Sequence, residues 1–185
     1  EEIKKYLDEN KKIYITPFGV DTEKFRNLNI EKSKDRIVIG IVKKLTEKYG
    51  IEYLINAIKE LENILAKDIF SKIRLVIYGE GELRDKLENI SKKLKIEDKV
   101  LFKGYISNEN VPTALNKIDI FVAPSILDSE SFGVAAVEAM ACEVPVIVSD
   151  ADGLKEVVVN NETGFVVPKK SSKEIILFFT NNFAL

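Results

Sequence analysis

Two carboxylates and a turn between them carry the densest chemistry in this sequence. Glu130-Ser131-Phe132-Gly133-Val134 runs into the small apolar stretch Ala135 to Ala141, with Glu138 inside it. The stretch lies between two strand signals, Ile118–Ala123 and Pro145–Ser149. A loop that opens into a helix after a buried strand aims several backbone N–H groups, and the positive end of the helix dipole, into one crevice. That environment suits a diphosphate. Ionised carboxylates at its edge accept hydrogen bonds from sugar hydroxyls. The segment therefore reads as a site for a nucleotide diphosphate sugar.

Could the same two glutamates be the acid pair of a glycoside hydrolase? Such pairs stand roughly 5 to 9.5 Å apart across the bond they cleave. Eight helical residues rise about 12 Å and end about 80° out of alignment. The pair suits separate parts of one long ligand better than a single bond.

Cations are expected at the same edge. Gly40-Ile41-Val42-Lys43-Lys44-Leu45-Thr46-Glu47-Lys48-Tyr49-Gly50 leads out of the first strong strand, and Lys44 and Lys48 fall in its loop. A departing diphosphate gains charge as its glycosidic bond breaks, so fixed cations stabilise the transition state more than the ground state. The next strand ends in Tyr78-Gly79-Glu80-Gly81. Glycines there let either a ligand or a neighbouring loop approach the backbone. A dinucleotide fingerprint would need a third glycine, and Arg84 occupies that position, so the motif is weak for a dehydrogenase. Val100-Leu101-Phe102-Lys103-Gly104-Tyr105-Ile106 is a strand entering a glycine turn. Its backbone could read a nucleobase edge with Tyr105 or Ile106 over the base, or it is an ordinary strand end.

These loops need a scaffold, and the chain supplies its pattern. Apolar runs at Arg36–Val42, Arg74–Tyr78, Val100–Phe102, Ile118–Ala123, Pro145–Ser149 and Gly164–Val167 are strand candidates. Several are continuous rather than alternating, as in strands covered on both faces. Ile51, Leu54, Ile55, Ile58, Leu61 and Leu65 share one helical stripe, and Leu83, Leu87, Ile90 and Leu94 share another. The alternation predicts an α/β fold, a doubly wound parallel sheet whose ligands bind at the carboxyl ends of the strands.

Composition narrows the chemistry further. The 185 residues suffice for one filled core, or for one domain with a fragment of another. Basic and acidic residues nearly cancel, 28 against 30, which gives no support to a nucleic-acid partner. With no histidine, Ser-His-Asp and Cys-His catalysis and the usual zinc ligand sets are excluded for this chain. A single cysteine, Cys142, excludes an internal disulfide and reads as a small packed residue. No apolar run approaches the length of about 20 residues that spans a bilayer, and no signal peptide is recognisable. A cytoplasmic location, at most at the inner face of a membrane, is expected.

Several blocks together resemble the retaining GT-B glycosyltransferases of family 4, from about Ile13 to Pro168. They are Pro-Phe-Gly-Val-Asp-Thr-Glu-Lys-Phe at 17–25, Leu-Val-Ile-Tyr-Gly-Glu-Gly at 75–81 and Asp-Ile-Phe-Val-Ala-Pro-Ser at 119–125. The two glutamates at 130 and 138 continue into Glu-Ala-Met-Ala, followed by Pro-Val-Ile-Val-Ser at 145–149 and Thr-Gly-Phe-Val-Val-Pro at 163–168. Order and intervals match, which is far more specific than any single block.

The resemblance implies roles. Lys44 and Lys48 match the basic pair on the donor diphosphate, although the family usually has arginine at the first. Glu130 matches the acid beside the transferred sugar and is the expected catalytic residue. Phe132, Gly133 and Val134 match the backbone amides around the diphosphate, and Glu138 matches the acid on the ribose hydroxyls. Gly79, Gly104, Tyr105 and Ile106 are candidates for the base. Glu143 and Asp152 depart from positions where glycine is common.

The implied fold is the carboxyl-terminal Rossmann-like half of GT-B, with residues 36–185 as the nucleotide-sugar-binding domain and 17–35 as a linker. Residues 1–16, a helix over Glu1–Asn10 and a strand over Lys12–Thr16, would be a remnant of the preceding half. Because the chain starts at Glu1, it is expected to be an excised piece. Its ending, Ser171–Leu185, has helical apolar spacing at Ile175, Ile176 and Phe179 but no natural stop, and is expected to be a tail cut short. The expected reaction transfers a sugar with retained configuration and needs no cofactor or obligatory metal. The acceptor glycan or lipid-linked sugar would be held by the missing half, which leaves room for membrane association of the whole protein. Alternatives are a GT-B epimerase or phosphorylase fragment, and a non-catalytic nucleotide-sugar-binding module.

Overall fold

The computed structural model describes Tyr14, Thr16 and residues 18–182. The expected helix over 1–10 and, apart from Tyr14 and Thr16, the strand over 12–16 lie outside the described residues.

Six strands form one sheet: β1 Ile37–Val42, β2 Ile73–Tyr78, β3 Val100–Gly104, β4 Ile120–Ala123, β5 Val146–Ser149 and β6 Phe165–Val167. Their order is β3-β2-β1-β4-β5-β6, and every pairing is parallel. This is the doubly wound arrangement that the strand–helix alternation predicts. The strand order reverses between β1 and β4, and in such sheets the crevice at the switch point lies at the carboxyl ends of the strands.

Period two sorts the strand residues onto two cores. Ile39, Ile41, Leu75, Ile77, Ile120, Val122 and Ile147 face helices α1 (Ile51–Leu61), α3 (Arg84–Lys93) and α7 (Ser172–Asn182). Phe121, Ala123, Val146 and Val148 face the other way, against α4 (Val111–Leu115), α5 (Val134–Ala141) and α6 (Asp152–Lys155). Burial on both faces is why these strands read as unbroken apolar runs. The short helix α2 (Lys67–Lys72) buries Phe70 before β2. Cys142 closes α5 and is packed into the second core.

The periodic stripe through Leu65 overruns its helix. The chain leaves α1 after Leu61, yet Leu65 still packs on the same core. The polar stretch before β1 has no strand or helix in its described part, but it is fastened to the domain. Phe25 is buried in the second core. Asn116 Oδ1 accepts the Leu28 N–H at 2.7 Å while its Nδ2 donates to the Arg26 carbonyl at 2.9 Å. Lys32 pairs with Asp119 at 3.3 Å.

Candidate functional site

The loops after β1 and β4 meet in the crevice because their backbones are stitched together. Lys43 and Leu45 N–H groups donate to the Tyr78 and Glu80 carbonyls at 3.0 and 2.9 Å, which extends the β1–β2 pairing past the strands. Ile126 N–H donates to the Lys48 carbonyl at 2.8 Å, tying the β4 loop to the β1 loop. Gly50 caps α1 with φ 58°, and a Cβ there would lie 2.3 Å from the Pro124 carbonyl oxygen. Glycine is required by both the backbone angle and the space.

After β4 the chain turns through Glu130 into α5. Gly133, at φ 67°, is the residue from which α5 starts. Burial of Ala135, Ala136 and Ala139 sets this helix tightly on β4 and β5. Small side chains permit that approach. The backbone N–H groups of Ser131, Phe132, Gly133, Val134 and Ala135 donate to no acceptor among the described residues. Those of Val134 and Ala135 are orphan donors of the α5 N-terminus, those of Ser131 to Gly133 lead into it, and with the dipole they favour an anion. The Phe132 ring lies over the turn, 5.7 Å from the Phe18 ring centre.

Glu130 is 6% exposed and both oxygens of its carboxylate have a partner. Lys43 Nζ lies 3.2 Å from Oε1 and 3.3 Å from Oε2, and Ser125 Oγ donates to Oε2 at 3.1 Å. The Gly153 N–H holds the Glu130 main-chain carbonyl at 3.0 Å. Tyr49 presents its ring 4.6 Å from the Lys43 ammonium. Burial, and then the Glu130 charge, push the Tyr49 phenol above its ordinary range.

Glu138, one helical turn further, is partly buried. Desolvation raises its pKa, while the charges of Lys24 and Lys43 pull in the opposite direction. Lys48 extends to the Ser129 carbonyl at 2.6 Å, beside the turn. Lys44 is exposed and its ammonium has no hydrogen-bond or ion-pair partner among the described residues.

The glycines after β2 are taken up by the protein itself. A Cβ on Gly79 would sit 1.9 Å from the Lys43 carbonyl oxygen, and one on Gly81 would sit 2.3 Å from that of Leu45. Gly104, at φ 76°, ends β3 beside the Glu80 carboxylate. Tyr105 after it is 78% exposed, and Ile106 packs on the second core.

The structure thus brings Lys48, Glu130, Phe132, Gly133, Val134 and Glu138 to one crevice, with Lys44 on its β1 side. Gly79 and Gly104 to Ile106 lie on the same sheet edge, toward β3. Sequence reasoning missed Lys43, Ser125, Lys24 and Gly153. A signal existed for Lys43: period two puts it on the side of Ile39 and Ile41, opposite to Lys44. Among the described residues no group of three or more His, Cys, Asp or Glu side chains is arranged to hold a metal ion. No described helix is long and apolar enough to cross a membrane.

Known proteins agree with this architecture. An uncharacterised glycosyltransferase of Methanocaldococcus jannaschii, MJ1607, is 38% identical over 142 residues, covering 76% of this chain and 34% of that protein. The amylovoran biosynthesis glycosyltransferase AmsK of Erwinia amylovora is 31% identical over 169 residues, covering 89% and 40%. The chain therefore spans between a third and two fifths of these relatives' lengths.

Among solved structures, the carboxyl-terminal domain of LpcC, a group 1 glycosyl transferase of Francisella tularensis, superimposes with a TM-score of 0.74 at 26% identity. That match covers 90% of this chain and 89% of that domain. Anabaena HepE, solved with UDP-glucose, has the same fold at a TM-score of 0.74 and 21% identity, over 89% of this chain and 46% of that one. The fold is that of the carboxyl-terminal half of GT-B enzymes. The sequence profile described as glycosyl transferases group 1 matches residues 21–177, and the chain belongs to that family.

Proposed function

We propose that this chain is the donor-binding part of a retaining glycosyltransferase of family 4. It holds a nucleotide diphosphate sugar whose sugar is transferred to an acceptor hydroxyl. The observation that carries the reading is the row of N–H groups from Ser131 to Ala135, without an acceptor among the described residues, set between Lys48 and Glu138 where the strand order reverses.

The diphosphate lies against the amides of Phe132, Gly133 and Val134, with Lys44 and Lys48 as its cations. Charge accumulates on it as the sugar–phosphate bond breaks, and donors already fixed in place stabilise that charge without reorganising. Lys44 supplies charge without the planar fork that arginine offers. Glu138, as carboxylate, accepts the ribose hydroxyls. Glu130 faces the sugar. The base lies toward Gly104, Tyr105 and Ile106, where the exposed ring offers a stacking face.

The acceptor, a glycan or lipid-linked sugar in surface polysaccharide or glycolipid assembly, is held by a further domain, at or near a membrane surface. Amylovoran biosynthesis is what the AmsK relative is named for, and UDP-glucose is what HepE was solved with. On this reading the chain alone binds donor and transfers nothing. Calorimetric titration with UDP, GDP and ADP, and with their glucose or mannose conjugates, tests it. Heat with at least one pair is expected, and no heat at millimolar ligand with any of them contradicts it.

A further inference from the structure

Lys43 has no place in the donor reading, yet it is the most constrained cation of the crevice. Its side chain is 14% exposed against 7% for Glu130, and its ammonium bridges both carboxylate oxygens. Ser125, itself buried, holds one of those oxygens, and the Ser125 carbonyl accepts the Ser149 hydroxyl at 2.5 Å. Glu130 is thus held by the ends of β1 and β4, with β5 behind them and α6 on its main chain.

A surface acid samples several rotamers. This one is buried and held by two side chains without any ligand, and preorganisation of that kind lowers the cost of binding whatever the carboxylate then meets.

We propose that Lys43 is a positioning residue: it fixes the Glu130 carboxylate toward the donor sugar, and so sets the preference of the site for a nucleotide sugar over the bare nucleoside diphosphate. The inference rests on the donor reading above. Lys44, Lys48, the amides of the turn and Glu138 address the nucleotide and its phosphates, whereas the hydrogen bonds and ion pair of Lys43 go to Glu130. Without its cation, a buried carboxylate is left uncompensated and turns toward water. The sugar then loses its acceptor while the nucleotide keeps its contacts. Arginine at 43 restores a cation able to hold both oxygens, through a fork that fits a carboxylate.

The test is calorimetric, on the whole chain, with UDP and UDP-glucose, GDP and GDP-mannose, and ADP and ADP-glucose. For the pair that the unaltered chain binds, Lys43→Met is expected to weaken the sugar conjugate about tenfold more than the nucleoside diphosphate. Glu130→Gln should reproduce that loss of preference. Adding Lys43→Met to it should cost no further preference, because both changes remove one device. Lys43→Arg should recover most of it.

If Lys43→Met does not fold, the double variant carries the test, since it leaves no buried charge unpaired. It is expected to keep nucleoside diphosphate binding and to lose the preference. Equal weakening of both ligands in Lys43→Met would make Lys43 a plain phosphate cation and overturn the inference alone. Unchanged preference would overturn it too. An unaltered chain that binds no nucleotide sinks the donor reading and this inference with it.

Discussion

The backbone of Gly79 lies directly against the carbonyl of Lys43, leaving 1.9 Å for a Cβ that glycine does not have. The Gly79 φ of 138° is also one that side chains rarely adopt. The end of β2 thereby fixes the loop from which Lys43, Lys44 and Lys48 rise. Gly79→Ala is expected to destabilise the chain by at least about 2 kcal/mol in urea unfolding. Gly19→Ala is the control: among the described residues nothing lies within 4 Å of a Cβ there. Equal midpoints for the two variants would show that the loop yields.

Gly153 does for the β4 loop what Gly79 does for the β1 loop. A Cβ on it would stand 2.3 Å from the Glu130 carbonyl oxygen and 2.5 Å from the Phe132 nitrogen. Gly153→Ala should push the Glu130–Phe132 turn into the crevice. Nucleoside diphosphate affinity should fall about tenfold, as for one lost charge-assisted hydrogen bond. Unchanged affinity would mean that the turn does not touch the ligand.

Glu138→Gln should move stability and binding in opposite directions. Burial raises the Glu138 pKa above its ordinary 4.5. The stability this lends is fully present below the unfolded value and is lost as pH rises through the folded one. At neutral pH the carboxylate is therefore a net cost to the fold, and Glu138→Gln should raise Tm slightly. That gain should vanish on acidification. Nucleotide affinity should drop by about 1.5–3 kcal/mol, as when a charged acceptor is lost. A variant that binds as well as the unaltered chain would remove Glu138 from the ribose contact.

Lys48 is expected to matter for ligand and little for fold. Among the described residues its one polar partner is the Ser129 carbonyl, at the surface. Lys48→Met should change stability by less than about 1 kcal/mol. Nucleoside diphosphate affinity should weaken about fivefold, with a shallower dependence on salt. Lys59→Met, on the far end of α1, should leave both unchanged. Similar affinities for the two variants would detach Lys48 from the diphosphate.

The central strands were legible because they are buried on both faces; Val146–Ser149, for example, is apolar to its last residue but one. The helices α2, α4 and α6, of 6, 5 and 4 residues, were not, since none is long enough to repeat a helical stripe. The stretch before β1 read as a polar linker because its anchors are remote. Asn116 grips it across 88 and 90 residues of sequence.

The same distinction governs the site. Glu130, Gly133 and Glu138 are neighbours in one loop and helix, so their joint position followed from local structure. Lys43 meets Glu130 across 87 residues, and that meeting exists only once β1 and β4 pair. The glycine pair at 79 and 81 left two readings open. What fills the space beside both glycines is the chain's own β1 loop.

Amide-resolved NMR of the chain during titration with UDP, GDP or ADP reads the central claim most directly. The largest shifts are expected at the N–H groups of Ser131 to Ala135, joined by Lys44, Lys48 and Glu138. Saturable binding whose shifts cluster elsewhere, for instance around α2 and the amino-terminal ends of β1 and β2, would contradict the account.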